Sequence, residues 1–280
     1  MTIEKSCARY FVLSAVAAAA AVVMAGCFGG GSDDDDDRPT AAAPVVEGTV
    51  AVGAAVANAN VAITNAAGQS VCEQATIVTA ATGAYSCTLI SGQTAPFIVV
   101  VTDPSGGVEP LVSVATSTPA AGESLVVNAT PLTTAIVAQL SPDDSALSVV
   151  ANPALIDAAK LAAIKTNVLA QLAPVTAAVG VPAGYDPFST PIVASTNTIS
   201  GNTADQLIDV LKVTTVNGVT TIATIDNPSA GIVVADATTA SAPTLPAPGA
   251  PVVSLAEAVK SFATAFEACF ALPPEQRVLA

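Results

Sequence analysis

The sequence predicts an α+β protein, with a β-sandwich first and a helical region with a small β-hairpin after it. Three observations carry this. From Glu47 to Thr130 short β-rich runs alternate with turn residues, which is the spacing of sandwich strands. At Pro131 the apolar period changes from two to that of a helix. Asn217-Gly218 lies between two β-branched runs, the strongest short-range hairpin signal.

The strands follow in order. Gly48 to Val52 is the first, and Asn60-Val61-Ala62-Ile63-Thr64 alternates polar and apolar before the Asn65–Gly68 turn. Thr76-Ile77-Val78 is next, and Thr82-Gly83 turns the chain into Ala84 to Leu89. Phe97 to Val101 is continuously apolar between Pro96 and Asp103-Pro104, as expected of a strand buried on both faces. Leu111 to Ala115 and Leu125 to Ala129 complete the set.

Pro131 suits the first turn of a helix, with Leu132, Ile136 and Leu140 at helical spacing. Asn152-Pro153 is expected to open a helix reaching Leu172, with Leu161, Ile164 and Val168 on the same face. Thr203-Ala204-Asp205-Gln206 reads as a capping box for a helix over Leu207 to Lys212. The hairpin joins Val213–Val216 to Val219–Ile222, and Ile232-Val233-Val234 supplies a third strand. Residues 240–253 are rich in Pro and Ala and read as a linker. A second capping box, Ser254 to Glu257, opens an amphipathic helix over 254–280 with Phe262, Phe266 and Phe270 in its stripe. Two alternatives stand for that stripe: it packs back on the earlier helices, or against a further domain missing from this chain.

The first 44 residues are of another kind. Lys5 and Arg9, an apolar stretch from Phe11 to Ala25 and small residues before Cys27 have the order of a secretory signal, residues 1–26. The stretch is shorter than the roughly 20 apolar residues of a spanning helix. Met24-Ala25-Gly26-Cys27 resembles the lipobox of bacterial lipoproteins, with Met24 where leucine is usual. The resemblance implies cleavage before Cys27, acylation of Cys27, and a membrane partner reached through that N-terminal lipid anchor. Each buried methylene contributes about 0.8 kcal/mol, so several acyl chains hold a protein without a spanning helix. Phe28 follows where Asp would mark inner-membrane retention, which implies the outer membrane of a Gram-negative bacterium. The alternatives are a cleaved signal with an incidental cysteine and an uncleaved anchor. Gly29 to Gly31 and the five-Asp run Asp33–Asp37 make residues 27–44 a flexible, solvated acidic tether. The run lacks the spaced ligands and turn glycine of a calcium loop.

Within 45–130 the residues carry a second resemblance. Gly48-Thr49-Val50, Gly53, Ala59-Asn60-Val61-Ala62-Ile63 and Thr82-Gly83-Ala84-Tyr85 are similar to the carboxypeptidase regulatory-like domain, a transthyretin/Ig-like sandwich. The resemblance implies that Gly83 makes a turn and that Tyr85 packs in the core with its hydroxyl at the edge. It implies no peptidase activity. The sandwich followed by helices across a Thr-Pro-Leu-Thr-Thr segment, residues 131–239, is similar to proteobacterial surface lipoproteins.

Composition narrows the chemistry. The chain of 280 residues has a formal net charge of −14 and no histidine or tryptophan. An acidic chain without a basic cluster is a poor nucleic-acid ligand. Without histidine there is no Ser-His-Asp or Cys-His catalysis and no His-Glu-x-x-His zinc site. Phosphate-binding and dinucleotide fingerprints are absent from the sequence, and no cofactor or metal is expected.

Cys72 and Cys87 lie in neighbouring predicted strands and are expected to form a disulfide in an oxidising compartment; two buried thiols are the alternative. Cys269 is left unpaired. Among carboxylates, Asp143-Asp144 read as a turn after a helix. Asp103-Pro104-Ser105-Gly106-Gly107 reads as a rim turn, which alone explains these residues, with a ligand site as the alternative. Asp205 and Asp209 share one helix face, expected to be solvated, with an acidic pair as the alternative. Tyr85, Phe97 and Tyr185 are the aromatics for sugar stacking, and two of them read as core.

The function expected is that of a non-catalytic, lipid-anchored cell-envelope protein presenting a β-sandwich interaction module. The alternative is an extracellular ligand- or carbohydrate-binding lipoprotein, and a third reading is an enzyme using carboxylates alone.

Overall fold

The computed structural model describes residues 42–239, 241–249, 263, 264 and 267. Cys27, the signal, the acidic run and Cys269 lie outside the described residues, as does the C-terminal phenylalanine stripe. Ala263, Thr264 and Glu267 are helical and exposed.

The fold is α+β, with three sheets and five α-helices among the described residues. Strand β1 (Val45–Thr49) pairs antiparallel with β4 (Ala84–Thr88) and parallel with β7 (Ser124–Val126). A four-stranded antiparallel sheet has the order β3 (Ile77–Val78), β2 (Asn60–Thr64), β5 (Phe97–Thr102), β6 (Leu111–Ala115). The first strand starts earlier than its apolar run, at Val45, because Val45 to Thr49 is the stretch registered on Thr88 to Ala84.

Alternation along β5 divides its side chains between two cores. Phe97, Val99 and Val101 join Val46, Ile63 and Cys87 in the cluster shared by the two sheets. Ile98, with Val112 and Val114 of β6, joins the helices in the second cluster. A strand covered on both faces has no solvent side, so its sequence reads as unbroken Val and Ile.

Gly48 lies opposite Tyr85 in the β1–β4 register. A Cβ on Gly48 would overlap the Val127 carbonyl oxygen and press on the Tyr85 ring. The Tyr85 hydroxyl donates to that same carbonyl, and the ring is buried. Burial pushes the Tyr85 hydroxyl above its ordinary pKa. Tyr85→Phe leaves a buried acceptor without its donor and is expected to cost about 1–2 kcal/mol. Urea unfolding measures it; an unchanged midpoint overturns this role for the hydroxyl.

Cys72 and Cys87 are joined as a disulfide, with Cα atoms 5.4 Å apart. It fastens the irregular segment between β2 and β3 to β4.

Helix α1 (Pro131–Ala138) begins as its sequence implies. Thr130 and Thr133 exchange side-chain-to-backbone hydrogen bonds, and Pro131 occupies the first turn. The expected helix from Asn152-Pro153 is corrected. Pro153–Leu155 is one 3-10 turn, Ile156 is extended, and α3 (Ala158–Gln171) starts at Asp157, whose carboxylate accepts the Lys160 N–H at 2.7 Å. Two short helices have no counterpart in the sequence reading. They are α2 (Ala146–Ala151), capped by Ser145, and α4 (Ala173–Val179), closed by left-handed Gly180.

Helix α5 spans Thr203–Val210, so the expected capping box is also corrected. Asn202 is the cap, accepting the Asp205 N–H at 3.1 Å, and Thr203 is already helical. The chain leaves the helix at Leu211 because β8 (Leu211–Val216) pairs there with β9 (Val219–Thr224), and β10 (Asn227–Val233) adds on the far side of β9. The turn between β8 and β9 is Asn217-Gly218, both with positive φ.

Residues 241–249, within the expected linker, are docked on the body. Leu245 is fully buried and its N–H donates to the Gln171 carbonyl at 2.8 Å. The Gln171 side chain also donates to Val233 O and accepts from the Ala235 N–H.

Candidate functional site

Among the described residues there is a groove of about 910 Å³. One wall is the segment Gly107 to Leu111, which leads from the Asp103 turn into β6. The floor is α1, with Pro131, Thr134 and Ala135. The other walls are the Asp143–Leu147 segment and the β8–β9 hairpin, through Val213, Thr214, Thr215 and Thr220. Two sequence-singled motifs, the Asp103 turn and Asp143-Asp144, therefore meet at one place although some 40 residues separate them.

The Asp103 carboxylate itself is committed to its turn. It accepts from the Ser105 hydroxyl and N–H and from the Gly107 and Val108 N–H groups, at 2.7 to 3.1 Å. These bonds, the Ser105 hydroxyl foremost, hold it below the ordinary carboxylate range. Its role is to shape the loop that presents Glu109. Asp143 likewise accepts from the hydroxyls of Ser141 and Ser148, which lower its pKa and keep it ionised. Asp144 is left-handed, with φ 51°. Burial, then the charges of Asp143 and Asp236, raise its pKa.

Among the described residues, the groove carries Glu109, Asp143 and Asp144 and no lysine or arginine. Apolar surface is present too: Leu147 is 53 % exposed and Val52 37 %. Thr215 and Thr220 oppose their hydroxyls at 3.0 Å on the hairpin.

Asp205 and Asp209 contradict the expectation of a solvated face. Asp205 is fully buried; its Oδ2 accepts the Ser195 N–H at 2.9 Å and its Oδ1 has no hydrogen-bond partner. Both Asp209 oxygens are buried and unpartnered. Burial and the neighbouring Asp205 carboxylate push Asp209 up to about 7. The loop after β1 covers them: a Cβ on Gly53 would stand 3.2 Å from Asp209 Oδ1. Amphipathic spacing gives the shared face, but only the packing of that loop and of Ser195 takes it out of water.

Of the aromatics, Tyr85 and Phe97 are core, and half-buried Tyr185 packs against both the helical cluster and a smaller one. None lines the groove. A smaller cavity of about 180 Å³ lies beside the Lys165–Asp186 ion pair. Among the described residues, no group of three or more His, Cys, Asp or Glu is placed to hold a metal ion. Nor is any single described helix long and apolar enough to cross a membrane.

The groove is thus lined by hydroxyls, carboxylates and exposed aliphatics. Comparisons with protein-family models, with curated proteins and with solved structures find no match.

Proposed function

We propose that this chain is a non-catalytic, lipid-anchored protein of the bacterial cell envelope, presenting an interaction module on an acidic tether. One observation carries the anchor: an apolar run closed by Met24-Ala25-Gly26-Cys27 directly before Gly-rich and Asp-rich sequence. Acyl chains on Cys27 hold the protein at the membrane, and Phe28 directs it to the outer membrane of a Gram-negative cell. Residues 45–130 supply the module, in this reading a transthyretin-like sandwich of the carboxypeptidase regulatory-like kind. The cluster shared by the two N-terminal sheets and the Gly48–Tyr85 pairing support it.

The groove supports interaction as the activity. A carbohydrate-binding lipoprotein is the second reading, favoured by the hydroxyls and carboxylates of the groove but not by its described lining residues, none of which is aromatic. Metabolic labelling with radioactive palmitate tests the anchor. Wild type is expected to carry label in the membrane fraction, and Cys27→Ser to lose both label and membrane association. Equal behaviour of the two overturns it.

A further inference from the structure

We propose that the groove takes an extended peptide carrying a lysine or arginine, added as a new strand along the free edge of β8. The inference rests on the reading of the folded body as an interaction module and is independent of acylation.

Two observations carry it. The first is the edge. In the order β10-β9-β8, β8 is outermost, and no strand among the described residues pairs with its other side. The two-residue turn makes Val216↔Val219 a hydrogen-bonded pair, so Thr214↔Thr221 is the next. Val213 and Thr215 therefore direct their N–H and C=O groups away from β9. Outer strands are ordinarily blunted by charge, proline or a bulge. The one charge in β8 is the exposed Lys212 at its start; Val213-Thr214-Thr215-Val216 beyond it has none of these, and its last three residues are exposed. Strand addition supplies partners for such groups and leaves alternate side chains to set specificity.

The second is charge. The groove beside Val213, Thr214 and Thr215 holds Glu109, Asp143 and Asp144, with no cation among its described lining residues. Asp143 is fixed by two serine hydroxyls, so its charge is already oriented before a ligand arrives. A side-chain ammonium or guanidinium answers that field, while Leu147 and Val52 accept the aliphatic residues on either side.

The experiment uses the acylated full chain in detergent and an immobilised octapeptide library randomised at each position. Selected peptides are expected to carry Lys or Arg at a recurrent position within a β-branched sequence. Addition of one such peptide is expected to slow amide exchange at Val213 and Thr215. Thr215→Pro removes an outward N–H that β9 does not use and is tolerated on an outer strand; it is expected to weaken binding about tenfold. Glu109→Gln with Asp144→Asn is expected to weaken the preference for Lys over Gln at that position, Asp143 remaining, without destabilising the fold. Peptides selected without basic residues, or binding that leaves Val213 and Thr215 exchange unaltered, overturn the groove while leaving an interaction module elsewhere on the body. No selected peptide from a chain that still incorporates palmitate overturns both the groove and the interaction reading, and the anchor alone survives.

Discussion

Joint replacement of Cys72 and Cys87 by alanine is expected to cost about 3 kcal/mol of stability, the entropy of closing a loop of this length in the unfolded chain. The cysteines are 15 residues apart, and Cys72 lies in the irregular stretch between β2 and β3. That stretch is held otherwise by isolated contacts: the Thr64↔Ser70 and Cys72↔Leu89 bridges and a few backbone bonds such as Ile90 N–H to Val71 O. Cys87 sits opposite Val46 in the register and is fully buried, so the link ties that loose segment into the core shared by two sheets. Alanine fits the space without adding a polar group, so the loss reports the cross-link. Urea unfolding of the variant, and of wild type with and without reductant, measures it. The reduced wild type should unfold close to the variant; a variant as stable as oxidised wild type sinks the role given to this bond.

Asp209→Asn is expected to stabilise the protein above pH 7 and to do little near pH 4. The sign follows from the direction of the shift. Burial and Asp205 raise Asp209 to about 7 in the folded state, above its value of 3.8 when unfolded. The folded form then holds the proton more tightly, so its stability is fully present below the unfolded pKa. It is lost as pH rises from about 4 through about 7. A full conversion of that shift is about 4 kcal/mol at 1.36 kcal/mol per pH unit. Asp209 is only partly buried as a residue although its carboxylate oxygens are covered, and screening by nearby solvent reduces the expected gain to about 1–2 kcal/mol. Asparagine keeps the shape and removes the charge, so the difference between variant and wild type should grow with pH and level off above 7. Asp103, Asp143, Asp226 and Asp236, all lowered by hydrogen bonds, are common to both proteins and cancel in the difference. A constant difference from pH 4.5 to 8.5 removes Asp209 as the titrating group.

Much of the fold was legible because local signals and burial agree. Asn60–Thr64 alternates and is half-buried, and Leu111–Ala115 spans the same residues in sequence and structure. Phe97–Thr102 reads as buried on both faces because it is: one face meets the shared core and the other the helices. Asn217-Gly218 demands positive φ at both residues, and only one kind of connection uses that. The misses are where short elements compete. Helix α2 is six residues long, too brief for its period to show. The start of α3 moved from Asn152 to Asp157 because an N-cap is decided by which side chain reaches a backbone N–H, and both Asn and Asp qualify on paper.

The candidate site was legible only in pieces. The Asp103 turn and Asp143-Asp144 each stood out as turns, and neither implied the other. Their meeting depends on how α1 lies against β6 and where the hairpin comes down, and no local pattern encodes that. The acidic pair shows the same limit. Spacing of four places Asp205 and Asp209 on one face, but the sign of their effect depends on what covers them.

From the sequence by itself come the strand and helix types, the hairpin turn, the absence of imidazole chemistry and the expectation of a lipid anchor at Cys27. These are properties of residue identity and short-range periodicity, which a chain carries before it folds. Tertiary structure alone decided that Asp209 is held out of water, that Leu245 is docked on the body, and that three carboxylates and an unpaired strand edge share one groove. Each of these depends on segments distant in sequence coming together. Desolvation and edge exposure are properties of that packing and not of any residue within it.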